Sequence, residues 1–260
     1  MAYEMTELLQ KCERCDIEFI VETLDSYVNL TDDAGMKQML KTWISGPVPV
    51  TFARKLEEEI RYVGSSDIAY FARKVTGGEA GVSVNEIIDD IASMSKVKLK
   101  TVCSIEGKLE HLAKAIAEKK FFELPPEKQA ELLRQNKKIT ERDIQSILDA
   151  KTNTSLLFPL LIKLLGPEMT ISLLKGLLVT ILSQFVTKEV AKQLITQLFT
   201  KIPWFGQILG PIAWATSAGL LAVNVTGEAY RKTVPIMFML ALVSLRDGPE
   251  EGDAFWTTNP

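Results

Sequence analysis

Between Ile202 and Gly227 the chain carries no Asp, Glu, Lys or Arg. A helix of about 20 mainly apolar residues is long enough to cross the hydrocarbon core of a bilayer. After the polar cluster Glu228, Arg231 and Lys232, a second charge-free run extends from Thr233 to Leu245. The two runs predict a hydrophobic hairpin of apolar helices, with Tyr230 and Arg231 as the polar hinge between them. A helix that is apolar on every side has to be hidden, either in lipid or inside a protein core. Any fold of this chain has to meet that constraint.

If lipid hides the hairpin, its contacts begin with Trp204, Phe205, Ile208, Leu209, Ile212 and Trp214. They continue with Leu220, Leu221 and Val223, and then with Ile236, Phe238 and Leu240 on the second arm. Trp204 and Trp214 suit an interfacial aromatic belt. Gly206 with Gly210, and Ala215 with Gly219, place small residues one helical turn apart. Such stripes let apolar helices approach closely in membranes, and tight bundles within proteins use them too. Pro203 and Pro211 interrupt the run; proline inside a helix in water costs about 3 kcal/mol, so the spanning part is expected to begin at Ile208 or Pro211.

A chain of 260 residues has room for one large domain or two modest ones. Its net charge of −3 argues against a dedicated nucleic-acid binder, in which a basic stripe is expected. The charge is unevenly spread. Residues 1–154 hold 22 basic and 26 acidic side chains, Ser155 to Arg246 hold 8 basic against 3 acidic, and four acids follow. This pattern predicts a soluble helical domain over 1–151, a hydrophobic, membrane-interacting helical block over 152–246 and an acidic tail over 247–260. A basic apolar block would suit an anionic bilayer, where each nearby Lys or Arg contributes roughly 1 kcal/mol. Lys163, Lys175, Lys188, Lys192 and Lys201 would serve equally well as solvated helix faces. The N-terminus shows neither the basic segment nor the apolar core of a signal peptide. Three cysteines do not make a disulfide framework. The expected location is the cytoplasm, or the cytoplasmic face or interior of the inner membrane.

Helical periodicity dominates the first half. Met5, Leu8, Leu9, Cys12, Phe19, Ile20 and Leu24 fall at spacings of three and four and predict one amphipathic helix over Glu4–Val28. Further helices are expected over Met36–Ile44 and Phe52–Val63, the latter stopped at Gly64. Ser83 with Glu86 forms a capping box ahead of Val84–Met94. Glu106–Phe122 follows, then a helix opened by Pro126 and another opened by Thr140–Asp143. No two-residue alternation is visible, so the expected fold class is all-α: a soluble bundle followed by an apolar block.

Catalytic and metal-binding constellations are sparse. His111 is the one histidine, and on a helix with Leu109, Leu112 and Ile116 it reads as a surface or boundary residue. Cys12 and Cys15 are spaced as a Cys-x-x-Cys pair and, with Cys103 and His111, carry the residue types of a zinc site. Both sit within the predicted first helix, where a zinc knuckle needs a loop, so buried thiols are expected instead. Gly77–Gly81 lacks the Gly-Lys-Ser/Thr of a phosphate loop and reads as a linker. The expectation is no enzyme, no cofactor and no metal.

Several stretches resemble the bacterial YaaW-type family, an uncharacterised family with a short N-terminal domain and a ubiquinol–cytochrome c chaperone-like region. They are Leu8–Cys12, Glu59–Arg73, Val84–Lys100, and Gly210–Pro211 through Ala229-Tyr230-Arg231, Thr233 and Pro235. The resemblance implies a prokaryotic intracellular setting and carries no catalytic residue over to this chain.

These readings converge on a non-enzymatic, membrane-associated or membrane-inserting protein, a pore-forming candidate, with a soluble helical regulatory domain. Its expected partners are an anionic lipid bilayer and further copies of itself, with no nucleic acid and no protein partner identified. The alternative is a soluble assembly-chaperone or interaction protein whose apolar helices form a buried bundle core.

Overall fold

The computed structural model describes residues 5–25, 33–65, 81–100, 104–134, 139–149, 157–182, 185 and 228–257. Every regular element there is helical, with no strand among the described residues, so the chain is all-α. The order is α1 (Thr6–Gln10), α2 (Arg14–Asp25), α3 (Asp33–Thr42), α4 (Val50–Val63), α5 (Val84–Met94) and α6 (Ile105–Glu123). Then come α7 (Pro126–Arg134), α8 (Glu141–Asp149), α9 (Leu157–Leu165), α10 (Pro167–Leu182), α11 (Glu228–Ser244) and the short α12 (Ala254–Thr257).

Local chemistry sets most of these boundaries. The single helix expected over Glu4–Val28 is broken after Gln10, because the Glu13 N–H donates to the Asp16 carboxylate at 2.7 Å and starts a new helix at Arg14. Cys12 therefore lies in the break and Cys15 in the first turn of α2. The Ser83 hydroxyl accepts from the Glu86 N–H at 3.1 Å while the Glu86 carboxylate accepts from the Ser83 N–H at 2.8 Å, closing the expected capping box. Thr140 and Asp143 exchange the same pair of bonds ahead of α8, at 3.0 and 3.3 Å. Gly64 does end α4, but for a reason of space: a Cβ there would meet Ile87 Cδ1 at 2.8 Å, so glycine lets α5 lie against the end of α4. Between α9 and α10, Gly166 takes a φ of +81° and Pro167 opens α10, the usual glycine stop and proline start.

The core is organised around α11. This helix packs against α6, α2, α10, α1, α4 and α5, so no side of it is left open from Lys232 to Ala241. Ile236, Phe238 and Leu240 are exposed by only 0%, 1% and 0%. Val234, Met237 and Met239 on the other faces are equally enclosed. The walls are amphipathic: α2, α4 and α5 turn Ile17, Ile20, Leu24, Phe52, Leu56, Ile60, Ile88 and Ile91 inward, while Asp16 of α2 and Glu57, Glu59 and Arg61 of α4 are charged residues that are buried as well.

This arrangement corrects the membrane reading. Among the described residues no helix is long and apolar enough to cross a membrane. The second arm of the expected hairpin is covered by the chain's own amphipathic helices, and Ile236, Phe238 and Leu240 face protein, not lipid. The membrane-inserting, membrane-associated and pore-forming expectations are set aside on these grounds. Tyr230 and Arg231, expected as a hinge, are both helical and lie in the first turns of α11. The other expected contacts (Trp204, Phe205, Ile208, Leu209, Ile212, Trp214, Leu220, Leu221 and Val223) and the small residues Gly206, Gly210, Ala215 and Gly219 lie outside the described residues. Helices from both sides of the boundary placed after 151 share one hydrophobic core, since α6 packs against both α10 and α11.

Truncating Phe238 to alanine tests the wrapped helix. Removing a fully buried phenyl ring is expected to cost about 3–5 kcal/mol of unfolding free energy, read as a lower midpoint in urea at unchanged slope.

Candidate binding cleft beside the C-terminal strap

Beyond α11 the chain does not trail away. Residues 245–257 form a strap that folds back over the bundle, beginning with a 3₁₀ turn, Leu245–Asp247. Gly248 then takes a φ of +106° and Gly252 a φ of +56°. The first of these conformations is open almost only to glycine. The strap ends in α12, where Phe255 and Trp256 are buried. Trp256 sits 6.0 Å from Phe158 of α9, and Phe255 sits 5.1 Å from the His111 ring of α6.

A row of polar side chains on α6 receives the strap. Glu110, His111, Lys114 and Glu118 recur at helical spacing and all are buried. The Glu110 carboxylate accepts the Glu250 N–H at 2.9 Å and also the Ser244 hydroxyl. His111 Nε2 lies 2.9 Å from the Glu251 carboxylate, which Lys100 also holds at 2.9 Å. Lys114 donates to the Phe255 carbonyl and lies 5.0 Å from the centroid of the Phe255 ring. One turn on, Glu118 accepts the Leu157 N–H at 2.9 Å and so caps the start of α9. At the other end of the strap, Arg246 donates to the Lys11 carbonyl at 3.1 Å and to Asp16 at 2.5 Å, tying it to α1 and α2.

Burial shifts the charges in this row. It raises the Glu110 carboxyl to about 7, against the opposing bonds from Ser244 and the Glu250 N–H. It lowers Lys114 to about 8 and pushes the His111 imidazole down against the pull of Glu251. Glu251 is held below the ordinary carboxylate range by its bonds to Lys100 and His111.

On its other side the strap forms a cleft with α10, of about 430 Å³. Pro167, Glu168, Ile171, Ser172 and Lys175 contribute from α10, and Arg246 to Pro249, Gly252, Asp253 and Trp256 from the strap. The carboxylates of Glu168, Asp247 and Asp253 are exposed, whereas Lys175 and Arg246 are half-buried. The cleft therefore has an acidic mouth and a basic interior. Lys175 donates to the Arg246 carbonyl at 3.2 Å, and its pKa is lowered to about 8, first by burial and then by the charge of Arg246.

The sequence-based expectation reads His111 as a surface or boundary residue; it is 3% exposed, because the strap covers it. Cys12 is buried, its thiol pushed up by burial, and Cys15 is half-buried; neither is in a disulfide. No group of three or more His, Cys, Asp or Glu able to hold a metal occurs among the described residues. Cys103 lies outside them. Glu110, Lys114, Lys175 and the strap carry no motif in the sequence, and the one sign of them is a pair of aromatics, Phe255 and Trp256, near the end of an otherwise acidic tail.

Over 200 residues the chain is 25% identical to a UPF0174 protein of Helicobacter pylori (strain J99), spanning 75% of this chain and 72% of that one. That name states no activity. No family model and no solved structure matches the chain.

The Glu110 carboxyl fixes a pH dependence. Its folded value near 7 lies above the ordinary 4.5, so the folded chain binds the extra proton between those values. Stability from this group is full below about pH 4.5 and is lost as pH rises through 7. Glu110→Gln keeps an acceptor for Ser244 and Glu250 without the charge. Its unfolding free energy should equal that of the natural chain at about pH 4 and exceed it at about pH 8 by roughly 1–3 kcal/mol, measured by urea denaturation at both values.

Proposed function

We propose that this chain is a non-enzymatic helical protein of the cytoplasm that acts by binding other molecules, as an assembly or interaction protein, without crossing a membrane. The observation that carries the reading is the enclosure of α11: its apolar faces are covered by the chain's own helices. For the run from Thr233 to Leu245, a bundle of this kind meets the constraint set by apolar sequence internally. Two further features support it. The strap holds a formed cleft open beside α10. The loop between α3 and α4 presents Ile44, 82% exposed, to its surroundings. The chaperone-like region that the sequence resembles fits the same reading.

Fractionation of cells without detergent tests the first half. The protein is expected in the high-speed supernatant and, once purified, as a single discrete species; recovery only from the membrane pellet with detergent would overturn the reading. A photo-crosslinking residue at Ile44 tests the second half. Adducts of defined mass, with another protein or with a second copy, are expected, and their absence in living cells would count against an interaction role.

A further inference from the structure

The cleft between α10 and the strap is lined by a cation, Lys175, that makes no ion pair within 4.0 Å among the described residues. Arg246 spends its guanidinium on Asp16, Glu13 and the Lys11 carbonyl. Lys175 has only the Arg246 carbonyl as a hydrogen-bond acceptor and makes no ion pair among the described residues. An ammonium has three N–H donors, so most of its hydrogen-bonding capacity finds no protein acceptor among the described residues. A ligand carboxylate seated in the cleft would supply an acceptor for the donors that Lys175 otherwise turns to solvent. At Lys175 the charge of Arg246 is felt ahead of that of Asp247, and both cations are half-buried in the cleft while its carboxylates are exposed.

We propose that this cleft binds a small organic monoanion, a carboxylate on an apolar body, with the carboxylate on the Lys175 ammonium and the body against Ile171 and Trp256. The volume of about 430 Å³ falls in the range of small-ligand sites, roughly 300–1,000 Å³. Apolar surface is at hand in Ile171, Pro167, Pro249 and Trp256. The exposed Glu168, Asp247 and Asp253 decide the charge of the ligand. One negative charge is satisfied at Lys175, while a second, as on a phosphate monoester, would meet three carboxylates at the mouth. This inference goes beyond the proposed function and does not depend on it, since a carboxylate site can sit on an interaction protein or on any other.

Titration calorimetry of the full chain with three probes of one shape tests it: phenylacetate, 2-phenylethanol and phenethylammonium. At pH 7, phenylacetate is expected to bind one to one, about tenfold or more tighter than the alcohol, the usual margin for a charge-assisted bond. Lys175→Gln should remove that margin. The natural chain supplies a second readout that needs no variant. Lys175 loses its proton above about 8, so phenylacetate affinity should fall by about tenfold between pH 7 and pH 9.5, while 2-phenylethanol affinity stays level. Absence of saturable binding, equal affinity for acid and alcohol, tighter binding of phenethylammonium, or a phenylacetate affinity flat across this pH range would each overturn the proposal.

Discussion

The structure depends on covering α11. A helix apolar on every side gains nothing from water on any face, and burying each leucine- or phenylalanine-sized side chain contributes roughly 1.5–3 kcal/mol. The surrounding helices follow from that requirement. α2, α4 and α5 each bring one apolar stripe inward, and α6 and α10 close the remaining sides. None of these amphipathic helices has a reason to stay folded alone, since short isolated helices are marginal in water. The central helix and its walls therefore stabilise one another, and the charged outer faces of the walls replace the polar surface that α11 lacks.

The strap solves a second problem, created by α6. Glu110, Lys114 and Glu118 lie on the inward side of that helix, where an unpaired polar group costs several kcal/mol. Backbone groups from distant segments satisfy them: the Glu250 N–H for Glu110, the Phe255 carbonyl for Lys114, the Leu157 N–H for Glu118. Charged side chains here do not pair chiefly with one another. They fix where other stretches of backbone come to rest, which aligns the strap along α6 and sets its outer side against α10 as the wall of a cleft.

Much of the scaffold is legible in the residues because its signals are local. The capping box at Ser83 and Glu86, the proline starts and the period of three to four each involve neighbours a turn apart. The break after Gln10 escapes such a reading because the apolar spacing runs on through it, while the Asp16 side chain that starts the next helix leaves no mark on hydropathy. The larger error concerns what hides the second apolar run. Hydropathy states that a helix must be covered and is silent about the cover; lipid and six converging helices give the same pattern from Thr233 to Leu245. His111 is misplaced for a related reason. What buries it lies 140 positions away in the chain, at Glu251.

That separation has a consequence for how the protein comes to be folded. The inner faces of α1, α2 and α4 leave the ribosome early, but α11, which they enclose, follows α10 in the chain. Arg246, just beyond it, reaches Lys11 across 235 positions. Contacts so remote carry a large loop-closure entropy and form slowly. Until α11 emerges, the nascent chain must therefore carry an unfilled apolar trough. In that interval this bundle is most open to aggregation and most in need of a holdase.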